Sequence, residues 1–287
     1  MFPKLKLLNG VSNLAHLNSS GTMSQVFTGK FKNKQVIVII NKPNAEQKRQ
    51  KIWNKPIIVQ QILKNSKIPF PKIHRAGFEK GYYVVIQQRL DGKVAGNRTL
   101  QQKFKDTCKN KEVHNKILKL LKQLHKIQLK KFGPLINKNG GKYKTWQSYL
   151  AAQVNYAFSY LNKHSNYFAL SQKEKSKILD LISTANYKDK PCLLHGDMIN
   201  YSNILVKNNK ITGIVDFEWS LAGDPAYDLA FDTGLDISNY STNKDFLKRK
   251  SIYTIIWLLW GCTVHPSGKV GVALYRELCR RLHIFKL

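Results

Sequence analysis

Acidic residues are scarce in this 287-residue chain, where 17 Asp and Glu stand against 48 Lys and Arg for a formal net charge of +31. Such a balance suggests a nucleic-acid or anionic-membrane partner. No basic run exceeds three residues, however: "KRK" at 248–250 is among the strongest, and Lys and Asn recur in every segment. The charge therefore reads as a diffuse solvated surface, with no helix-turn-helix, RNP or zinc pattern to focus it, and no specific nucleic-acid or membrane partner is expected. Cysteine is also sparse. Cys108, Cys192, Cys262 and Cys279 form no CxxC pair, which excludes a zinc ribbon and a disulfide framework. Long apolar runs are missing. The longest, "SIYTIIWLLWGCTV" at 251–264, falls short of the ~20 residues of a membrane span, and the N-terminus has no continuous apolar signal segment. These absences lead to the expectation of a cytoplasmic protein with reduced thiols. The 43% hydrophobic content excludes a disordered chain.

The first ninety residues read as strands around one helix. "SNLAHLN" (12–18), "SQVFTGKF" (24–31) and "KQVIVIIN" (34–41) are β-rich, and "SSGT" and "KN" supply turns between them. A helix is expected over about 44–65, stopped by the two prolines of "IPFPKI", with a further strand in "YYVVIQQRL" (82–90). Beyond about 98 the period becomes helical. "HNKILKLLKQLHKIQ" (114–128) sets Ile117, Leu120, Leu121, Leu124 and Ile127 on one face. Further helices are expected at 145–161, at 172–185 and in the last fifty residues. The expected architecture is α+β and bilobal: a small β-rich lobe at 1–90 followed by a larger helical lobe at 91–287.

The few acids are not evenly spread. Asp197, Asp216, Glu218, Asp224, Asp228, Asp232 and Asp236 crowd into one stretch of the second lobe. Within it, "ILVKNNKITGIVDF" (204–217) reads as a β-hairpin around "KNNK". That hairpin would set Asn203 at the start of one strand and Asp216 at the end of the next, beside Asp197 on the preceding loop. Asp, Asn and Asp brought together make a hard-oxygen set suited to Mg²⁺, which takes few protein ligands and completes its shell with water and phosphate oxygens. A loop Asp that accepts a hydroxyl proton, an Asn soon after it and a later Asp are the parts of kinase phosphoryl transfer.

Four pieces in order, "HGD" (195–197), "NILV" (203–206), "VDFE" (215–218) and "GDPAYDLA" (223–230), resemble the aminoglycoside phosphotransferase and choline kinase superfamily, distant relatives of protein kinases. The resemblance covers residues ~10–235 well and the last fifty residues poorly, and it implies a protein-kinase-like fold in which the 1–90 lobe binds nucleotide and the 91–287 lobe holds the catalytic loop and acceptor site. It implies Asp197 as the base that deprotonates an acceptor hydroxyl, Asn203 and Asp216 as Mg²⁺ ligands, and ATP or GTP as donor. His195 would brace the loop. Asp224, ahead of Pro225 and an apolar run, reads as a helix N-cap. Glu218 reads either as an acid just outside the metal's contacts or as a solvent-facing residue.

Two departures from the pattern stand out. The kinase spacing after the catalytic Asp falls on Ser202; Asn203 lies one residue farther on, Asn200 is a third candidate, and the "NILV" context favours Asn203. The strand position where kinases carry a phosphate-gripping Lys is apolar in "QVIVIINKP". The nearest cation, Lys42, is the expected substitute, with another Lys or Arg of the basic lobe as the alternative, and Ser20, Gly21 and Thr22 of "NSSGTMSQ" read either as the phosphate loop or as a plain hairpin turn. The functional expectation is phosphoryl transfer to a small-molecule hydroxyl: an antibiotic, an amino alcohol or a sugar. A pseudokinase that binds a nucleotide or polyanion without turnover is the alternative.

Overall fold

The computed structural model describes residues 3–17, 24–43, 47–48, 51–96, 111–164, 168–185, 187–198, 201–230 and 236–284. Its N-terminal part is a five-stranded sheet built from β1 (Val11–His16), β2 (Gln25–Phe31), β3 (Lys34–Asn41), β4 (Ile73–Glu79) and β5 (Tyr82–Gln88). The strands lie in the order β1-β2-β3-β5-β4, every neighbour antiparallel. Tight turns set this order. Lys32–Asn33 join β2 to β3 and Lys80–Gly81 join β4 to β5, each pair with positive φ at both residues. Such turns have the twist that suits a two-residue hairpin, and Asn and Gly tolerate it best.

Alternation along β3 divides the two faces of the sheet. Val36, Val38 and Ile40 pack outward with Leu5, Phe31, Val84 and Ile86, while Ile39 packs on the opposite face with Tyr83, Val85 and Ile73. Helix α1 (Lys55–Leu63) lies against that second face. The helix expected over 44–65 is broken: Lys51 is left-handed at φ 48, a 3-10 turn fills Ile52–Asn54, and α1 begins only at Lys55 with Pro56 in its first turn. Proline lacks the N–H that a first turn does not use, so it fits a helix start better than a helix interior.

The C-terminal part holds α2 (Lys111–Leu124), α3 (Trp146–His164), α4 (Gln172–Thr184), α5 (Lys244–Val264) and α6 (Gly268–Ile284). The anticipated stripe on α2 is buried at Ile117, Leu120, Leu121 and Leu124, whereas Ile127 lies past the helix end. Ser171 and Glu174 form a reciprocal capping box that starts α4, the Ser-x-x-Glu signature of a helix start. The apolar 251–264 run lies within α5 and is largely buried against α3 and α6. Among the described residues no helix is long and apolar enough to cross a membrane.

Short strands sit between the helices. β9 (Ile204–Lys207) and β10 (Lys210–Ile214) form the expected hairpin through Asn208–Asn209, both at positive φ, and β6 (Lys93–Val94) adds to β9. β11 (Leu221–Gly223) lies between β7 (Gly133–Pro134) and β8 (Cys192–Leu194). This is a kinase-like, bilobal α+β fold, with an antiparallel sheet followed by a helical part.

Candidate active site

The loop after β8 carries His195, Gly196 and Asp197. Gly196 has φ +81, and a Cβ there would meet the Trp219 carbonyl oxygen at 2.2 Å, so only glycine lets the loop pass so close to the 217–219 turn. His195 is fully buried and ties two segments: its Nδ1 accepts from the Asp197 N–H at 3.2 Å, and its Nε2 donates to the Val215 carbonyl at 2.8 Å. His195 thus joins the Asp197 backbone to the strand end that leads into Asp216.

Asp228 fixes the same loop from behind. One carboxylate oxygen accepts the His195 N–H at 2.7 Å and the other accepts the Gly196 N–H at 2.8 Å. His125 Nε2 donates to the first oxygen at 3.0 Å, while its Nδ1 contacts the Tyr240 hydroxyl at 2.6 Å. A carboxylate buried to 2% exposure is tolerable because every donor around it points inward.

Asp224 has a different role from the helix cap expected of it. Residues 225–230 form successive turns and no helix. Its Oδ1 accepts the Ala226 N–H at 3.0 Å. Its Oδ2 takes Arg249 Nε at 2.6 Å and the Tyr253 hydroxyl at 2.7 Å. The fully buried carboxylate pins α5 to the 224–226 turn.

Asn203 is the centre of the site. Its Nδ2 donates to the Asp197 carbonyl at 2.7 Å and to Asp197 Oδ2 at 3.2 Å. Its own carbonyl accepts the Val215 N–H at 2.9 Å, which sets Asp216 at the adjoining strand end, in a left-handed conformation at φ 68. The structure therefore brings Asp197, Asn203 and Asp216 together. With the Asn203 amide nitrogen committed to Asp197, its Oδ1 is the atom left for a cation. Two carboxylates and an amide oxygen form a hard-oxygen donor set that fits Mg²⁺. No group of three or more His, Cys, Asp or Glu suited to a metal occurs among the described residues.

Glu218 is buried, not solvent-facing. The Tyr83 hydroxyl of β5 donates a short hydrogen bond to its Oε1, and Ser24 Oγ lies 3.4 Å from the same hydroxyl. Burial, and next the neighbouring charge of Asp216, push the Glu218 carboxyl well above the usual range, against the pull of the Tyr83 bond. Burial chiefly, with the charge of Glu218, raises the Tyr83 phenol as well. A narrow crevice between the lobes is bounded by Ile39, Val85 and Gln87 on the sheet side and by Asp216, Phe217 and Glu218 opposite.

Of the remaining expected residues, Lys42 is exposed one position beyond β3. Ser20, Gly21, Thr22 and Asn200 lie outside the described residues. Sequence reasoning missed Tyr83, His125 and the task of Asp228. Only Asp228 left a signal, in "GDPAYDLA"; the partners of the other two lie more than a hundred residues away.

The model of the phosphotransferase enzyme family called APH matches residues 45–231, and the chain belongs to that family. It is a phosphotransferase with a hydroxyl group as acceptor. Solved structures share the fold across nearly the whole chain. A putative aminoglycoside phosphotransferase from Ralstonia eutropha superposes at TM-score 0.60 with 11% identity, covering 95% of this chain and 91% of that one. The macrolide 2'-phosphotransferase MphH of Brachybacterium faecium gives 0.58 with 9% identity, covering 96% and 92%. Spectinomycin phosphotransferase in complex with ADP and spectinomycin gives 0.53 with 13% identity, covering 97% and 95%. Comparison with curated proteins finds no match.

Proposed function

We propose that the chain transfers the γ-phosphoryl group of ATP to a hydroxyl of a small molecule, with Asp197 as the base and Asn203 and Asp216 as Mg²⁺ ligands. The observation that carries this reading is the Asn203 side chain, which bonds Asp197 while its backbone bonds the strand end before Asp216. One residue thus sets the base and the metal acids in a fixed relation. In the reaction the acceptor oxygen forms a bond to the γ-phosphorus, the bond from that phosphorus to the ADP oxygen breaks, and the hydroxyl proton passes to Asp197. Bound Mg²⁺ would neutralise charge on the β- and γ-phosphate oxygens. The loop N–H bonds to Asp228 hold Asp197 in place without reorganisation during turnover, which is the form of catalysis phosphoryl transfer relies on.

In this reading residues 1–90 contribute the nucleotide side of the cleft and 91–287 the acceptor side. Lys42 and the Ser20, Gly21 and Thr22 loop are candidates for phosphate contacts, and GTP is an alternative donor. The acceptor class is an antibiotic, amino alcohol or sugar; the macrolide and spectinomycin enzymes of like fold support the first. ATP supply and the free thiols Cys192, Cys262 and Cys279 favour the cytoplasm. Incubating the protein with ATP, Mg²⁺ and a panel of such alcohols, and following ADP release, tests the reading. Acceptor-dependent ADP and a phosphorylated product are expected. Nucleotide binding without turnover on any acceptor would favour the pseudokinase alternative, which the apolar cleft side of β3 motivates.

A further inference from the structure

The cleft side of β3 carries no positive charge. Side chains alternate across a strand, and Val36, Val38 and Ile40 occupy the outer face. Ile37, Ile39 and Asn41 are left on the face toward the crevice. A triphosphate brought up to Asp197 and Asp216 would meet like charge there, and in a partly buried site that repulsion is strong.

Two side chains answer this. Lys55 opens α1 with 0% exposure, its Nζ 5.9 Å from the Trp219 ring centroid and its charge acting on Glu218. A buried ammonium is costly to hold unless anions lie near it, and a nucleotide phosphate at the crevice would supply one. Asn41 lies opposite Tyr83 in the sheet register and is 8% exposed. Its Nδ2 has no hydrogen-bond partner among the described residues. A buried donor left unpaired is unfavourable, and a bound oxygen at the crevice would satisfy it.

We propose that Lys55 supplies from α1 the positive charge that meets the nucleotide phosphates, with Asn41 as a neutral donor on β3. The inference rests on the phosphotransferase reading and deepens it by saying where the cation comes from. Tyr83 bonds Glu218, Asn41 lies opposite Tyr83 in the sheet, and Lys55 lies over Trp219 next to Glu218 in the chain, so sheet, metal motif and α1 meet there. Lys42, exposed past the strand end, lies outside this group.

Calorimetric titration of wild type, Lys55→Met, Lys55→Arg and Lys42→Met with Mg·ATP and with adenosine separates the possibilities. Lys55→Met should weaken ATP about 10- to 100-fold, the size of a hydrogen bond to a charged group, and leave adenosine unchanged. Lys55→Arg should recover part of the ATP affinity. Equal losses for ATP and adenosine would make Lys55 a packing residue. Unchanged ATP binding in Lys55→Met, or a phosphate-selective loss in Lys42→Met instead, would also overturn the inference. Wild type that binds no nucleotide would bring down the phosphotransferase reading itself, and this inference with it.

Discussion

The carboxylate of Asp228 accepts the backbone N–H of His195 through one oxygen at 2.7 Å and that of Gly196 through the other at 2.8 Å. The 195–197 loop is therefore anchored by an acid more than thirty residues away, in addition to the bonds of the His195 ring. Asp228→Asn keeps the shape but turns one acceptor into a donor that faces an N–H. One buried N–H loses its partner, which costs about 1–3 kcal/mol. We expect a Tm lower by a few degrees and a fall in turnover larger than any change in nucleotide affinity. A variant with wild-type turnover would show that the loop holds its shape without this anchor.

Gly196 offers a sharper local test. Its φ is +81, and a side-chain Cβ would come within 2.2 Å of the Trp219 carbonyl oxygen, which leaves no room for alanine. Gly196→Ala should push the loop off the 217–219 turn, lowering both thermal stability and turnover. An active variant with unchanged melting would place the loop elsewhere.

Metal dependence follows from the Asp216 assignment. ATP should raise the melting temperature more with Mg²⁺ than with EDTA, and Asp216→Ala should remove the difference. An equal shift with EDTA would contradict the metal set of Asn203 and Asp216.

Much of the fold is legible in the sequence because local chemistry fixes it. Lys32–Asn33 and Asn208–Asn209 mark their hairpins, and the 3.6-residue period of α2 marks its buried face. Strand β4 leaves no such mark. As an edge strand paired only with β5, it buries few side chains fully, and Arg75 and Gly77 blur its alternation. The break at Lys51 is hidden in the same way, since nothing in "QKRQKIWNKP" signals a left-handed residue.

The site is legible where its residues are close in sequence. Asp197, Asn203 and Asp216 belong to one loop and hairpin, so a turn and a register are enough to bring them together. Asp224 misleads because Asp-Pro before an apolar run looks like a helix start, while the partners that decide its role, Arg249 and Tyr253, come from α5. Tyr83 with Glu218, and His125 with Asp228, are contacts across 135 and 103 residues. Tertiary packing alone creates them.

The most direct test of the central claim is a kinetic comparison of wild type and Asp197→Asn on an identified acceptor, with ATP affinity measured alongside. The substitution keeps side-chain size and hydrogen-bonding reach but removes the basicity that a positioned base supplies, typically worth about 10²–10⁴-fold. Asp197 as the base predicts a loss of that order in turnover with Mg·ATP affinity nearly unchanged, whereas Asp216→Asn should weaken both. Asp197→Asn retaining most of its turnover would contradict it.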